Sequence, residues 1–170
     1  MMKNSFSRNL LLELRRQPSL KSKTVLIIYR MSTLSRKKGV LGKLAYPFHI
    51  LNVLLNQFIF SVEIPSSTKI GQGLIIYHPY AIVIHGGVTI GDNFSIRQST
   101  TIGSAAGLEI ITTAIGDNVS VGAGAIIIGD DIVIGDNVTI GAGTVVTKSI
   151  ESNLTVVGSG FRILKDKSEE

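Results

Sequence analysis

The chain offers few groups that can do chemistry, and they cluster. It has three histidines, His49, His78 and His85, and no cysteine, so a thiolate nucleophile, a thiolate metal site and a disulfide framework are all excluded. An imidazole, with its ordinary pKa of about 6.5, can take a proton from a weak nucleophile near neutral pH. His78 stands in the run Tyr77-His78-Pro79-Tyr80, with the carboxylate Glu63 fifteen residues before it and His85 seven after. His85 reads either as a substrate-facing group or as an ordinary surface residue. Arg97 reads either as a cation facing the substrate or as a solvated position, since arginine serves wherever a carboxylate or phosphate must be recognised. No carboxylates sit around the histidines at zinc-ligand spacing, so no metal is expected.

The elements that must hold these groups follow from an unusual period. Ile64, Ile70, Ile76 and Ile82 recur every six residues, as do Ile84, Ile90, Ile96 and Ile102, and the pattern resumes with Ile115, Val121 and Ile127 and again with Ile134, Ile140 and Val146. Six fits neither an amphipathic helix nor a simple hairpin, and internal repetition of this kind decides a fold. The unit is Ile-Gly-Asp-Asn-Val-Thr at 134–139, with close copies at 90–95 and 115–120. Its aliphatic residue enters a core, and Gly-Asp-Asn makes a turn where positive φ is tolerated. Three units close a triangular coil of about 18 residues, and stacked coils become parallel neighbours about 4.8 Å apart. Residues 62–160 therefore form an all-β main domain, a parallel β-helix of about five coils.

The period breaks twice. Ile76 to Ile84 is eight residues and Ile102 to Ile115 is thirteen, so chain is extruded at both places. Insertions in solenoids are where binding surfaces are built. The first break carries Tyr77 to Tyr80, the second Gly103 to Ala114.

Residues 1–61 read as a short α-helical segment, with Val25, Ile28, Met31 and Leu34 spaced by three and Gly39 and Gly42 as punctuation. Its charge is lopsided: residues 1–43 hold eleven Lys/Arg against one acid, Glu13, while the rest holds six against eleven. Such a segment faces anionic lipid or nucleic acid, or is a solvated basic helix pair; no nucleic-acid reading motif accompanies it. The apolar run Leu44–Phe60 is interrupted by Pro47, His49, Asn52, Asn56 and Gln57 and falls short of the roughly 20 apolar residues that span a bilayer, so it reads as a packing or membrane-surface helix. Leu10–Leu12 is followed by Glu13, Arg15 and Arg16 rather than a cleavage site, and a cytoplasmic protein is expected, with peripheral contact at the inner face of an anionic membrane. Residues 161–170 form a charged tail.

From Val62 to Val157 the sequence resembles the hexapeptide-repeat acyltransferases, in particular their serine acetyltransferase branch. Glu63-Ile-Pro leads to His78 as that branch's Asp-Ile-His-Pro segment leads to its catalytic histidine. Over most of the chain it is similar to the colanic acid biosynthesis acetyltransferases (WcaB type), through Leu-Glu-Leu-Arg, Ser-Arg-Lys-Lys-Gly-Val-Leu, Tyr77-His78-Pro-Tyr80-Ala-Ile-Val-Ile, Phe94-Ser-Ile-Arg97 and Thr101-Ile-Gly. The resemblance implies a left-handed coil, where general rules favour right-handed crossovers. It implies acetyl-CoA as donor, His78 as general base with Glu63 supporting it, and direct transfer without a covalent intermediate. Tyr77, Tyr80, His85 and Arg97 fall near the acceptor. Ala123, Gly124, Ala142 and Gly143 would line the groove for the pantetheine arm, and Lys148 and Arg162 would meet the CoA phosphates, with Lys165 and Lys167 competing. The family also implies a homotrimer with sites completed between subunits.

Two departures bear on the acceptor. Tyr77 stands where serine acetyltransferases carry an aspartate, and Ile111, Thr112 and Thr113 occupy the region of their Arg-His pair. The implied acceptor is therefore a sugar hydroxyl in exopolysaccharide, capsule or O-antigen biosynthesis. Serine is the alternative, and a nucleotide-sugar N-acetyltransferase, whose usual βαβ N-terminal domain is absent, is the second.

Overall fold

The computed structural model describes residues 3–107 and 112–158. Three helices come first: α1 (Lys3–Arg16), α2 (Leu20–Leu34) and α3 (Val40–Leu51), the last running directly into a π-helical segment, Asn52–Ile59. Fourteen short strands follow among the described residues: β1 (Val62–Glu63), β2 (Lys69–Ile70), β3 (Ile75–Ile76), β4 (Ile82–Ile84), β5 (Thr89–Ile90), β6 (Ser95–Ile96), β7 (Thr101–Gly103), β8 (Ala114–Ile115), β9 (Ser120–Val121), β10 (Ile126–Ile128), β11 (Val133–Ile134), β12 (Thr139–Ile140), β13 (Val145–Val146) and β14 (Thr155–Val156). No helix among the described residues is long and apolar enough to cross a membrane.

The strands fall into three parallel sheets, ordered β1-β4-β7-β10-β13, β2-β5-β8-β11 and β3-β6-β9-β12-β14. Every third strand up to β13 is thus a neighbour, and β14 follows β12 because the last coil touches the second face only through a single bridge, Ile134 to Ile150; the body is a three-sided, left-handed parallel β-helix of five coils. We refer to the three sheets as the first, second and third faces. The sixfold period becomes columns of stacked aliphatics: Ile84 pairs with Ile102, Ile102 with Ile127 and Ile127 with Val146, while Ile76, Ile96, Val121 and Ile140 form another column. These side chains are almost wholly buried in one continuous core. A core closed by three narrow sheets has room for branched aliphatics, and Phe94 is the one aromatic ring fully buried within the coils among the described residues.

The Gly-Asp-Asn turns stack as two ladders along the corner between the second and third faces. The Oδ1 of Asp92, Asp117 and Asp136 accepts from the backbone N–H of Gln72, Asp92 and Asp117 at 2.7, 2.6 and 2.7 Å. Beside them Asn93 donates to Asn118, Asn118 to Asn137 and Asn137 to Asn153, at 3.2, 3.1 and 2.9 Å. These asparagines all have φ between 56° and 65°, a conformation asparagine tolerates because its short side chain bonds locally. Glycine precedes each Asp because a Cβ at Gly91 or Gly116 would stand 2.2 Å from the carboxylate of the coil above.

The helices close one end of this prism. A β-helix end exposes unpaired backbone groups, and each such group buried without a partner costs about 1–3 kcal/mol. Here side chains of the helices meet them one by one. Glu13 accepts from Gly73 N and Leu74 N; Gln17 donates to Leu74 O and accepts from Ile76 N; Tyr29 donates to Thr68 O; Asn52 donates to Ile64 O; and Arg30 donates to Ile70 O and Gly71 O. Val25, Leu26 and Tyr29 lie over the open mouth of the aliphatic core.

Candidate active site

The corner that joins the third face to the first carries Tyr77–Ala81 in the first coil, Arg97–Thr100 in the second, Gly122–Ala125 in the third and Gly141–Thr144 in the fourth. Backbone bonds tie these turns into one edge: Ser99 N–H donates to Tyr80 O at 2.9 Å, Gly124 N–H to Gln98 O at 3.0 Å and Gly143 N–H to Ala123 O at 2.9 Å. Ala81, Ser99, Gly124 and Gly143 all have positive φ and mark the same turn position. At coil spacing the edge is about 14 Å long from the first turn to the fourth.

Only the first of these turns carries the extra residues, and they place His78 outside the repeat. Its backbone has φ 49°, followed by φ 50° at Ala81. Left-handed backbone at a non-glycine residue costs of order 1 kcal/mol and is common where a side chain must be aimed. His78 is exposed, so its ring is open to a solute arriving along the edge.

Tyr77 and Arg97 meet beside it. Tyr77 N–H donates to Ile96 O at 2.8 Å, fixing the first coil to the second, and the Arg97 guanidinium lies 4.7 Å from the centre of the Tyr77 ring. Tyr80 is exposed on one side, while the Lys21 ammonium sits 3.0 Å from its ring centre and 5.1 Å from that of Phe60. Lys21 thus joins helix α2 to the histidine corner, a contact that sequence reasoning missed because nothing in the repeat reports where the helical segment lands. Gln98, on the same edge, was missed as well; its Oε1 is buried without a hydrogen-bond partner among the described residues.

Glu63 is exposed on β1, in register with Val83, at the start of the strand column into which the His78 turn leads. Among the described residues no hydrogen bond joins Glu63 to His78 within one chain. Glu63 instead borders a cavity of about 210 Å³ between α3 and the first coil, shared with Arg36, His49, Gln57 and Ser66.

The remaining candidates divide between two edges. Ala123, Gly124, Ala142 and Gly143 lie on the His78 edge, and a side chain at Gly124 or Gly143 would meet nothing within 4 Å, so this strip is open to a ligand that must approach the backbone. His85 and Lys148 lie on the corner between the first and second faces instead. The His85 Nδ1 accepts from Gly87 N–H at 3.0 Å, which puts the proton of the neutral ring on Nε2 and binds it to its own turn. Lys148 is exposed in the last coil. Arg162, Lys165, Lys167 and Ile111 lie outside the described residues. The base of the second insertion is held by Asp130, which accepts from Ser104 Oγ and Ala105 N, while Thr113, buried, donates to Gly129 O at 2.8 Å.

No family model matches the sequence. A protein of Escherichia coli K12, named WcaB for an inferred role as a colanic acid biosynthesis acetyltransferase, is 39% identical over 149 residues, which cover 85% of this chain and 91% of that protein. Serine acetyltransferase of Staphylococcus epidermidis is 41% identical over 114 residues, covering 66% of this chain and 53% of the relative. Among solved structures, serine acetyltransferase of Brucella abortus in complex with coenzyme A superposes with a TM-score of 0.77 at 27% identity, covering 95% of this chain and 68% of the other. Soybean serine acetyltransferase complexed with serine superposes with a TM-score of 0.73 at 27% identity, over 94% of this chain and 69% of the other.

Proposed function

Because the chain belongs to the serine acetyltransferase-like hexapeptide-repeat acyltransferases, in the WcaB-type group, and is an acetyl-CoA-dependent acetyltransferase, we propose that it transfers acetyl directly to a sugar hydroxyl of an exopolysaccharide, capsule or O-antigen precursor. The observation that carries the sugar reading is the corner itself: Tyr77 and Tyr80 share the turn with His78, and one face of each ring is stacked by a cation, Arg97 on Tyr77 and Lys21 on Tyr80. Aromatic faces suit the apolar side of a sugar ring, and Arg97 suits a carboxylate or phosphate on it. An amino-acid acceptor needs a carboxylate near its ammonium group, and the resemblance puts tyrosine at that position.

In the proposed step His78 takes the proton of the acceptor hydroxyl as its oxygen attacks the thioester carbonyl carbon. The carbonyl electrons move onto oxygen, the tetrahedral adduct collapses with loss of the CoA thiolate, and the histidinium returns its proton to that sulfur. The oxyanion calls for preorganised N–H donors; within the extruded segment 81–87 our candidate is the Ala81 backbone, on the His78 turn, because the N–H groups of Ile82, Val83, His85 and Gly87 already donate elsewhere. Glu63 is read as orienting His78 and stabilising its charged form. The pantetheine arm is read along Ala123, Gly124, Ala142 and Gly143, and Lys148, on another edge of its own chain, as a phosphate contact for the donor bound against a neighbouring subunit. With its catalytic corner open along one edge of the prism, the protein is read as a homotrimer whose sites are completed by a neighbour, working in the cytoplasm where acetyl-CoA is made.

Release of free thiol from acetyl-CoA tests this. Turnover is expected with repeat-unit oligosaccharide and not with L-serine, and His78→Ala is expected to lower it by about 10²–10⁴-fold. Robust turnover with serine alone would establish the second reading, which the fold shared with the serine-bound soybean enzyme favours.

A further inference from the structure

Helix α3 and the π-helical segment after it are amphipathic in the inverse sense for a helix packed on its own domain. The side turned towards α2 and the first coil carries Gly42, Ala45, Asn52 and Asn56, all buried. The opposite side carries Val40, Leu44, Leu54 and Phe58, exposed by 73, 71, 51 and 73%. Val40 and Leu44 stand four apart on α3, and Leu54 and Phe58 stand four apart on the π-helical segment that continues it. Polar groups inside are consistent with capping, since Asn52 donates to Ile64 O and Asn56 to Val25 O. Large apolar groups grouped on one outer face mark a surface that something covers.

The charge around this stripe identifies the cover. Arg36, Lys37, Lys38 and Lys43 are exposed at its leading end, and no acidic residue occurs between Glu13 and Glu63. We propose that this face docks on an anionic phospholipid surface, with Val40, Leu44, Leu54 and Phe58 entering the boundary between headgroups and acyl chains and the four cations meeting lipid phosphates. A second copy of the chain is the weaker occupant, because a two-fold contact across the stripe sets these same cations against one another.

Vesicle flotation tests this with the full-length protein, using phosphatidylcholine vesicles with and without about 30% phosphatidylglycerol, an anionic content that sets a surface potential of the physiological kind. Binding is expected to rise at least tenfold with the anionic lipid and to fall at high salt. Leu44→Glu/Phe58→Glu is expected to abolish it, and Lys37→Gln/Lys38→Gln/Lys43→Gln to remove the preference for phosphatidylglycerol. Both sets lie on the exposed face, and unchanged circular dichroism confirms that the variants are folded. Equal binding to both vesicle types, or none to either, overturns the proposal. So does a fall in assembly mass by light scattering for Leu44→Glu/Phe58→Glu without any vesicle binding by the parent, which would assign the face to a second copy. The assay uses neither acetyl-CoA nor acceptor, so its failure leaves the acetyl-transfer reading standing.

Discussion

Tyr29 shows how much a single residue carries at the junction of the helices and the coils. Its ring is fully buried, its hydroxyl donates to Thr68 O at 2.8 Å, and burial pushes its pKa up to about 12, against the opposing pull of the Arg30 guanidinium and with a smaller push from Glu13. An unfolded tyrosine ionises near pH 10, so above that pH the unfolded chain gives up a proton that the folded chain keeps, and stability is lost between about pH 10 and 12. Tyr29→Phe is expected to lose about 1 kcal/mol at pH 8, where the hydrogen bond is broken, and to show a flatter decline from pH 10 to 12. Urea unfolding at pH 8, 10 and 11 measures both, and curves that stay parallel across that range would contradict the assignment. His78 could be found in the sequence because it breaks a period; Tyr29 could not, because its partner lies 39 residues away and its own surroundings read as plain helix.

Among the elements, the helical cap holds one buried ion pair at its contact with the first coil. Glu13 is buried, the Arg30 guanidinium meets it at 2.6 and 3.0 Å, and its Oε1 also accepts from two backbone N–H groups of the first coil. Glu13→Ala would strand a cation and two donors together, and breaking a buried pair in this way costs about 3–5 kcal/mol, a large share of the 5–15 kcal/mol of a typical domain. Glu13→Gln, whose amide oxygen can still accept, is expected to cost clearly less. Chemical denaturation followed by circular dichroism separates the two, and an alanine variant within 1 kcal/mol of the parent would mean that packing and the bonds of Gln17, Tyr29 and Asn52 hold the cap without Glu13. The sequence marked Glu13 only as the lone acid of a basic segment. The coils were legible because their contacts recur once per turn of the solenoid, whereas the cap is built from contacts made once each.

At the scale of the molecule, the prism makes His78 and the small residues parts of one edge, and it makes His85 and Lys148 parts of another. Spacing alone carries no sign of that division, since both corners recur once per coil. If the donor lies along the His78 edge, Ala142→Phe, at an exposed position, is expected to raise KM for acetyl-CoA at least tenfold while leaving the melting temperature within about 2 °C, a surface substitution being worth under about 0.5 kcal/mol. Steady-state kinetics with thermal unfolding checks it, and an unchanged KM would move the donor to another edge.

The helical cap also has a bearing on how the chain comes to be built. It precedes every coil, so it leaves the ribosome first and carries the partners that the first coil needs: a carboxylate, an amide, a phenol and a guanidinium, which meet the backbone groups of that coil. Each later coil then needs only the coil before it, 16 to 25 residues back, as Ile140 pairs with Val156 and Ile96 with Val121. Growth of the solenoid during synthesis is thereby directional, and the ragged edge of half-made sheet is always at the end where the next residues are about to arrive.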